Sequence, residues 1–270
     1  MLQWAEMVVI FGLGFTGKRV AQRLIARGIP VVAPGRDADV SSIPTGALVV
    51  HTIPPLDPPE NQALRQKITA AAPTRIVYIS STGVYGNQTT VDEHTQPAPE
   101  DLRGIRRFEE ENWITAGAWS SLILRSAAIY GPGRGVHVAA REGRPPRGAG
   151  SGLVSRIHVD DLAALVDAGL FSTIEGAWPV ADEKACPSDE IIRWCRQNWS
   201  WQNQPHGNAP DAYPDIGVAP QFTTGRQVDG SRIRRILGID LIYPTWETGV
   251  PASLAEEAQT FVKSPSGVSS

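Results

Sequence analysis

The chain has 270 residues, of which 41% are hydrophobic and 20% charged, and it carries a net charge of −3 at neutral pH. Its length suits one large α/β domain, or one domain with an appended lobe. The slightly acidic balance gives no electrostatic signature for binding nucleic acid or a membrane surface. No apolar run approaches the roughly 20 residues that a membrane-spanning helix needs.

The two cysteines, Cys186 and Cys195, are too few for a disulfide framework, and they indicate a reducing compartment. The first residues lack the basic start and the apolar core of a signal peptide. We therefore expect a cytoplasmic protein that acts on a small molecule, as a monomer or a homodimer, without nucleic-acid or membrane partners. We assign no metal site.

Strand-like and helix-like runs alternate along the first half of the chain. Strands are predicted at 7–11, 30–33, 47–52, 75–80 and 121–124, and helices at 16–27, 61–72 and 101–115. Nearly continuous Val and Ile in the strands is typical of a parallel sheet that is buried on both faces. The alternation predicts an α/β fold, a Rossmann-type doubly wound parallel sheet with its ligand crevice at the carboxyl ends of the strands.

The first strand leads directly into a Gly-x-Gly-x-x-Gly sequence formed by Gly12, Gly14 and Gly17. The first glycine permits a tight turn, the second lets a pyrophosphate approach the backbone, and the third lets the helix pack closely on the strand. Phe15 and Thr16 then begin a helix whose free amide groups face an anion. The pattern predicts a dinucleotide site. The alternative is a tight strand-to-helix turn that binds nothing.

The second crossover is unusually short, because only residues 34–46 separate two predicted strands and these include Gly35, Pro44 and Gly46. A crossover between parallel strands usually takes a dozen or more residues and often a helix. We therefore expect this helix and one edge strand to be degenerate or missing. The adenine side of a nucleotide site would then be built more thinly.

The second half of the chain has a looser pattern. A helix is expected from about 161 to 171, a strand at 177–181, a helix at 187–198, a long loop at 202–225 and a frayed tail at 264–270. The predicted domains are a dinucleotide-binding domain at 1–130, interleaved with later segments, and a small C-terminal substrate lobe that occupies mainly 131–262. Residues 263–270 are expected to be a flexible tail.

Four motifs occur in order along the chain. They are the glycine loop at 12–17, Ser-Ser-x-x-Val-Tyr-Gly at 80–86, Leu-Arg-x-x-x-x-Tyr-Gly-Pro-Gly-Arg at 124–134 and Arg-Ile-His-Val-Asp-Asp-Leu-Ala at 156–163. Together they resemble the extended short-chain dehydrogenase/reductases, the epimerase/dehydratase-like proteins. The resemblance covers roughly residues 7–250. It implies a nicotinamide dinucleotide and a small polar substrate that meet at the strand ends.

The resemblance also assigns residues to the site. Ser81 stands at the catalytic serine position, and the acid/base chemistry of an atypical member would come from Ser81, Tyr85 or a residue of the substrate lobe. Cofactor contacts are expected from Thr52, Pro54 and Ser80, which lie at or just after the ends of the third and fourth predicted strands. These assignments follow from the family likeness, because the spacing alone does not require them.

The cofactor type depends on the end of the second strand, where Arg36 and Asp37 follow Gly35. An acidic residue there binds the ribose 2′-hydroxyl of NAD, whereas an arginine accommodates the 2′-phosphate of NADP. The planar guanidinium of Arg36 suits a phosphate. We favour NADP, and Asp37 keeps NAD open.

The family chemistry depends on a Tyr-x-x-x-Lys pair that this sequence lacks. None of the five tyrosines has a lysine four residues later, and the matching helix has Arg103 and Arg107 at the two positions. Arginine stays protonated in proteins and cannot exchange a proton near neutral pH as tyrosine does. The two arginines either lie on a solvated face paired with the glutamates at 109–111, or clamp an anionic substrate group near Ser81.

The later motifs add two more substrate candidates. Tyr130 and Arg134 belong to the turn that borders the substrate crevice in the family, although Arg134 could equally face solvent. His158 is expected to cap a helix together with the following aspartates rather than to catalyse. Two functions stay open: an atypical oxidoreductase or epimerase-like enzyme, and a non-catalytic NADP-binding sensor or interaction protein.

Overall fold

This computed structural model describes residues 7–143, 152–199 and 225–263 of the chain. The strands in these ranges are β1 (Val8–Phe11), β2 (Val31–Val32), β3 (Leu48–His51), β4 (Arg75–Ser81), β5 (Thr90–Val91), β6 (Ser120–Ser126), β7 (Ala128–Tyr130), β8 (Arg156–His158), β9 (Gly176–Val180) and β10 (Gln227–Val228). The helices are α1 (Phe15–Ala26), α2 (Pro58–Ala70), α3 (Leu102–Thr115), α4 (Val136–Arg141), α5 (Val159–Leu170), α6 (Ser188–Asn198), α7 (Ser231–Leu237) and α8 (Trp246–Lys263).

A six-stranded sheet in the order β2-β1-β3-β4-β6-β9 forms the centre of the molecule, and each neighbouring pair is parallel. The chain adds β2 on one side of β1 and then returns to add β3 on the other. This reversal creates a crevice at the carboxyl end of β1, which is where open α/β sheets bind their ligands. The predicted doubly wound parallel sheet is confirmed.

Strand β1 shows why the sheet is buried on both faces. Val8 and Ile10 pack with the apolar residues of α1 and α5, whereas Val9 and Phe11 pack with those of α2 and α3. All four side chains are at most 2% exposed. Alternate positions are therefore apolar on both sides, as in parallel sheets that carry helices on each face.

The connection from β2 to β3 contains a single short 3-10 turn, Val40–Ser42, where a crossover helix would usually stand. The edge strand β2 has two residues and pairs with β1 alone. The crossover helix is missing and the edge strand is reduced to two residues, which confirms the expectation that both would be degenerate or missing. As a result, no helix of this connection packs over the carboxyl ends of β1 and β2.

A smaller part of the molecule lies beyond the carboxyl ends of the sheet. It contains the two-stranded sheets β7-β8 and β5-β10, and helices α4, α6 and α8 around their own apolar cluster. Strand β9 and helix α5, in contrast, belong to the central layers although they come from the second half of the chain. The sequence analysis missed β5, β7, β8, β10, α4, α7 and α8, because most of them are too short to show a period.

Some expectations fall outside the described ranges. These are residues 202–224 of the loop predicted at 202–225, and the tail at 264–270. Of the helices within the described residues, none has both the length and the apolar character of a membrane-crossing segment.

Two carboxyl groups in the later part of the chain are buried, and one of them, Asp161, ties the segment before α8 to the central layers. Asp161 of α5 accepts hydrogen bonds from the amides of Ile242, at 2.6 Å, and Tyr243, at 3.1 Å. Burial raises the pKa of Asp161 to about 6, although these two amides act in the opposite direction. Burial also raises the pKa of Asp182 to about 7, and its Oδ2 has no hydrogen-bond partner among the described residues.

We predict that Asp182→Asn raises the thermal midpoint more at pH 8 than at pH 5. An aspartate of the unfolded chain has a pKa near 4, so between about pH 4 and 7 the folded state keeps a proton that the unfolded state has released. The stability contributed by Asp182 therefore falls as the pH rises through this window.

Thermal unfolding of both proteins at each pH measures this difference. The two proteins are compared at each pH because the wild-type stability also contains other contributions. Burial lowers the pKa values of His51 and His158, so their contribution to stability increases as the pH rises, opposite to that of Asp182. Exposed Asp240→Asn serves as the control and should show no such trend. An equal difference at pH 5 and pH 8 would contradict the prediction for Asp182.

Candidate functional site

Two of the three glycines of the loop, Gly12 and Gly17, have no room for a larger side chain. Gly12 has φ of +101°, and a Cβ built on it would lie 2.6 Å from the hydroxyl oxygen of Thr52. A Cβ on Gly17 would lie 1.9 Å from the carbonyl oxygen of Gly12. The Thr52 hydroxyl donates a 2.7 Å hydrogen bond to that same carbonyl. The end of β3 therefore holds the loop that follows β1.

The start of α1 is open to a ligand. Gly14 lies at the N-cap position, is exposed, and has no atom within 4 Å of a Cβ built on it. Within the part of the chain that the structure describes, no side chain caps the helix, and its first turn, which begins with Phe15 and Thr16, contains no acidic residue. Uncapped amides and the positive end of the helix dipole suit the pyrophosphate of a dinucleotide.

A cleft of about 400 Å³ begins at the glycine loop and extends over the carboxyl ends of β1, β2 and β3. Its apolar walls come from Ile53, Leu56 and Leu64. Its charged side chains are Arg36, Glu60 and Lys67; the remaining lining residues are Phe11, Gly12, Leu13, Ala33, Pro34, Gly35 and Ala63. A cleft with apolar walls and with its charged side chains close together suits an adenosine with its ribose.

The other predicted cofactor residues differ in how they are placed relative to this cleft. Gly12 and Arg36 line the cleft, and Thr52 supports it from behind. Pro54 is exposed just beyond the lining residue Ile53. Ser80 does not fit its predicted role, because it is 3% exposed and its hydroxyl donates a 2.5 Å hydrogen bond to Glu111.

The sequence analysis missed the contribution of α2 and of the segment before it, because this helix was not connected with the nucleotide. The lining residues concerned are Leu56, Glu60, Ala63, Leu64 and Lys67. Helix α2 begins at Pro58, three residues earlier than predicted. Prolines are well tolerated in the first turn of a helix, where their missing N–H is not needed. That turn was mistaken for a loop.

Ser81 ends β4 and begins a 3-10 turn over Thr82–Tyr85. Its hydroxyl oxygen accepts a 3.1 Å hydrogen bond from the amide of Gly83, and the residue is half-buried. The hydroxyl proton is left available to donate to a ligand oxygen. The geometry suits orientation of a polar ligand atom.

Arg226 fixes this turn from a distant part of the chain. It donates a 2.8 Å hydrogen bond to the carbonyl of Gln88, and its other nitrogens donate to the carbonyls of Thr82 and Gly86. Strand β10, which follows it, pairs with β5 beyond the turn. No sequence signal indicated Arg226, because it lies 145 positions after Ser81 and belongs to none of the motifs.

The catalytic role predicted for Tyr85 does not fit its position. The side chain is fully buried, and its hydroxyl accepts a 3.2 Å hydrogen bond from Arg125, whose guanidinium also lies 5.1 Å from the ring centroid. Burial raises the pKa of Tyr85. A tyrosine without solvent access cannot pass a proton to a ligand in the crevice, so we correct this assignment to a structural one.

A buried polar network lies behind Ser81. Glu111 of α3 accepts three hydrogen bonds of 2.8–3.2 Å from Arg125 of β6, in addition to the one from Ser80. Glu111 and Arg125 are 2% and 8% exposed. Since Arg125 also holds Tyr85, one ion pair connects α3, β4, β6 and the 3-10 turn.

The preceding glutamate is buried in a second network. Glu110 accepts hydrogen bonds from Asn61 and Arg65 of α2, each 2.8 Å at its shortest, and lies 3.5 Å from His51 at the end of β3. Burial raises the pKa of Glu110, but His51, Asn61 and Arg65 outweigh it and hold the pKa at about 2. The alternative of a solvated face that includes the glutamates at 109–111 is therefore wrong for Glu110 and Glu111, which are both buried.

The two arginines of α3 have different surroundings. Arg107 donates hydrogen bonds of 3.1 Å to the hydroxyl of Tyr78 and 3.2 Å to the carbonyl of Ile79, two residues before Ser81. Arg103 is exposed and makes no hydrogen bond or ion pair within the described ranges. Arg107 thus lies beside the end of β4, and Arg103 lies nearer to solvent.

The turn after β7 borders the glycine loop. Gly131 and Arg134 exchange two backbone hydrogen bonds of 2.9 Å, and the Arg134 guanidinium lies 5.2 Å from the ring centroid of Phe15. Tyr130 is 3% exposed, and its hydroxyl faces the carbonyl of Thr245 at 3.5 Å. Tyr130 does not fit its predicted contact with a substrate, whereas Arg134 lies beside the start of α1.

His158 caps α5, as expected. Its Nδ1 accepts a 3.2 Å hydrogen bond from the amide of Asp160, and its Nε2 lies 3.1 Å from the hydroxyl of Ser253. That hydroxyl donates to the carbonyl of Gly249 at 2.7 Å, so the histidine is the donor to the serine. Burial lowers the pKa of His158 to about 3. The expected capping role is confirmed.

No protein-family model matches the chain. The 3-diazoavenalumate denitrifying reductase of a Streptomyces species is 27% identical over 57% of this chain and 54% of its own length, so the chain spans about half of that relative. Protein YeeZ of Escherichia coli K12 is also 27% identical, over 88% of this chain and 97% of its own length.

Solved structures cover almost the whole chain. A conserved protein of unknown function from Silicibacter pomeroyi DSS has a TM-score of 0.72 at 26% identity, covering 93% of this chain and 99% of its own. A protein from Methylobacillus flagellatus, provisionally assigned as an NAD-dependent epimerase/dehydratase, has a TM-score of 0.67 at 26% identity, covering 95% and 100%. The chain has the fold of the extended short-chain dehydrogenase/reductases.

The resemblance that the four motifs predicted is thereby confirmed. For the fold alone, WbmG of Bordetella bronchiseptica, solved in complex with NAD and UDP, has a TM-score of 0.70 at 14% identity over 94% of this chain and 96% of its own. The ligands in that complex are a property of WbmG, and the likeness to this chain is one of fold.

We predict that Glu111→Gln lowers the free energy of unfolding by about 3 kcal/mol, because it leaves the buried charge of Arg125 without its counter-ion. Glu109→Gln on the exposed side of the same helix is the control, with an expected change within about 0.5 kcal/mol. Urea unfolding followed by circular dichroism measures both. Similar losses in the two variants would show that the ion pair is not the cause.

Proposed function

We propose that the chain is an NADP-dependent reductase that acts on a small electrophilic substrate. The observation that carries the proposal is the cleft at the glycine loop, with Arg36 at the end that suits the ribose of a dinucleotide. Bound NADPH would supply a hydride from its nicotinamide ring. The chain's own residues bind and orient both partners, and they hold the crevice in shape.

NADP is favoured by the chemistry around Arg36. The guanidinium is 83% exposed, and its fixed fork of donors matches the oxygens of a phosphate. Lys67 adds a second positive charge in the same cleft. Asp37, the residue that kept NAD open, is exposed and does not line the cleft.

The residues of α3 favour a reduction that needs no proton donor. Reduction of a carbonyl leaves an oxygen anion that a tyrosine protonates in the related enzymes. Here Arg103 and Arg107 replace the pair, and Tyr85 and Tyr130 are buried. Ser81 can donate a hydrogen bond but is not paired with an acid or base among the described residues. We infer a substrate whose reduction leaves no anion to be protonated.

Reductive loss of dinitrogen from a diazonium group has this property. The hydride brings the electron pair of the new C–H bond, and dinitrogen leaves with the pair of the C–N bond, so no proton is consumed. The relative named as a denitrifying reductase of a diazo compound supports this class of acceptor. Arg107 and Arg134 would hold an acidic group of the substrate or the cofactor pyrophosphate.

A second candidate is a non-catalytic sensor that binds NADPH and reports it to a partner. The exposed Arg103 at the tyrosine position favours it, because it leaves α3 without a proton-transfer group near the crevice. A sensor binds the dinucleotide without oxidising it. Binding and hydride transfer therefore have to be measured separately.

We predict that Arg36→Ala weakens NADPH binding about tenfold or more and changes NADH binding by less than twofold, because a charge-assisted contact to the 2′-phosphate is lost. Arg193→Ala on the exposed side of α6 is the control and should change neither. Titration followed by nicotinamide fluorescence gives both dissociation constants. Equal affinities of the wild type for NADPH and NADH would contradict the NADP assignment.

For the reaction, we predict faster NADPH oxidation with aryl diazonium and iminium compounds than with aldehydes, ketones or sugars. A stopped-flow decrease of absorbance at the NADPH band, corrected for oxidation without protein, measures each rate. Gly12→Ala, which puts a methyl group against Thr52, should abolish binding and oxidation together. NADPH binding without oxidation by any acceptor would favour the sensor.

A further inference from the structure

Three charged side chains from two elements meet at one end of the nucleotide cleft. Arg36 follows β2, whereas Glu60 and Lys67 lie seven residues apart on α2 and therefore on one face of that helix. The Lys67 ammonium donates a hydrogen bond to the backbone carbonyl of Arg36, and the Arg36 guanidinium lies 4.0 Å from the Glu60 carboxylate. The two cations and the carboxylate therefore lie together in the part of the cleft where the proposed function places the ribose.

The contact between Glu60 and Arg36 is easily exchanged. Their side chains are 57% and 83% exposed, and ion pairs between exposed groups contribute little to stability. A phosphate monoester carries close to two negative charges and three acceptor oxygens, so it competes effectively with one carboxylate for the guanidinium. A ribose without this phosphate has a 2′-hydroxyl group, which can donate a hydrogen bond to a carboxylate.

The geometry points to distinct roles for the two residues of α2. We propose that Lys67 is a second ligand of the 2′-phosphate of NADPH, and that Glu60 limits the preference for NADPH. Glu60 competes with the phosphate for Arg36, and it accepts a hydrogen bond from the 2′-hydroxyl of NADH. This rests on the proposed function, since it assumes that the cleft holds a nicotinamide dinucleotide. The choice between NADPH and NADH would then be set by α2 together with the loop after β2, and not by that loop alone.

The short connection between β2 and β3 explains why α2 has this role. With only a 3-10 turn at Val40–Ser42 and no crossover helix, the cleft is bounded on its other side by α2. Ala63 and Leu64 lie between Glu60 and Lys67 and line the cleft with them. The same face of α2 thus carries the apolar wall and the charged end of the site.

The test measures dissociation constants for NADPH and NADH by nicotinamide fluorescence in the full-length protein. Glu60→Gln should bind NADPH about threefold to tenfold more tightly and NADH more weakly. Lys67→Met should bind NADPH about tenfold more weakly, with NADH changed by less than twofold. Both effects on NADPH should shrink as ionic strength increases, because they depend on exposed charges.

Two further variants separate these roles from general effects. Asp37→Asn removes one negative charge beside the cleft but not in its lining, and should change both affinities by less than twofold. Lys67→Arg keeps the charge and should retain NADPH affinity, whereas a purely structural lysine would not be replaced so well. Thermal midpoints confirm that each variant is folded.

Several outcomes overturn the inference. Asp37→Asn reproducing Glu60→Gln would mean that net charge alone acts, and unchanged NADPH binding in Lys67→Met would remove the second ligand. If Arg36→Ala weakens NADPH but the α2 variants do not, only this inference fails. If the wild type binds neither dinucleotide, the proposed function fails with it.

Discussion

The buried ion pair between Glu111 and Arg125 is the contact on which the site geometry depends. It lies between α3 and the sheet, and through Ser80 and Tyr85 it reaches both the end of β4 and the turn that follows Ser81. Two ions removed from water stabilise a fold only when their remaining hydrogen-bonding atoms are satisfied. Here the carboxylate accepts from two residues and the guanidinium donates to two, so α3 is held in one position against the strand ends.

The sequence predicted the parts of the fold that repeat a local pattern. The strand runs, the glycine loop and the short connection after β2 all depend on neighbouring residues, and each was recognised. The cap at His158 was also recognised, because capping is a property of adjacent positions.

The buried acids of α3 could not be predicted in the same way. Glu110 and Glu111 are adjacent, and acidic neighbours on a helix usually face water. Their partners, Arg65 and Arg125, lie 45 and 14 positions away and come from separate elements. Only the tertiary fold brings these charges together. For the same reason, the contribution of α2 to the cleft was not visible in the sequence.

The uncovered end of β2 has a consequence for how a cofactor would be used. An epimerase returns its hydride to the same substrate, so its nicotinamide can stay bound from one turnover to the next. A reductase must release the oxidised dinucleotide and admit a reduced one each time. On the proposed function, a site whose adenosine end is bordered by a short turn and one helix would favour such exchange, and the dinucleotide would then be a second substrate rather than a resident group.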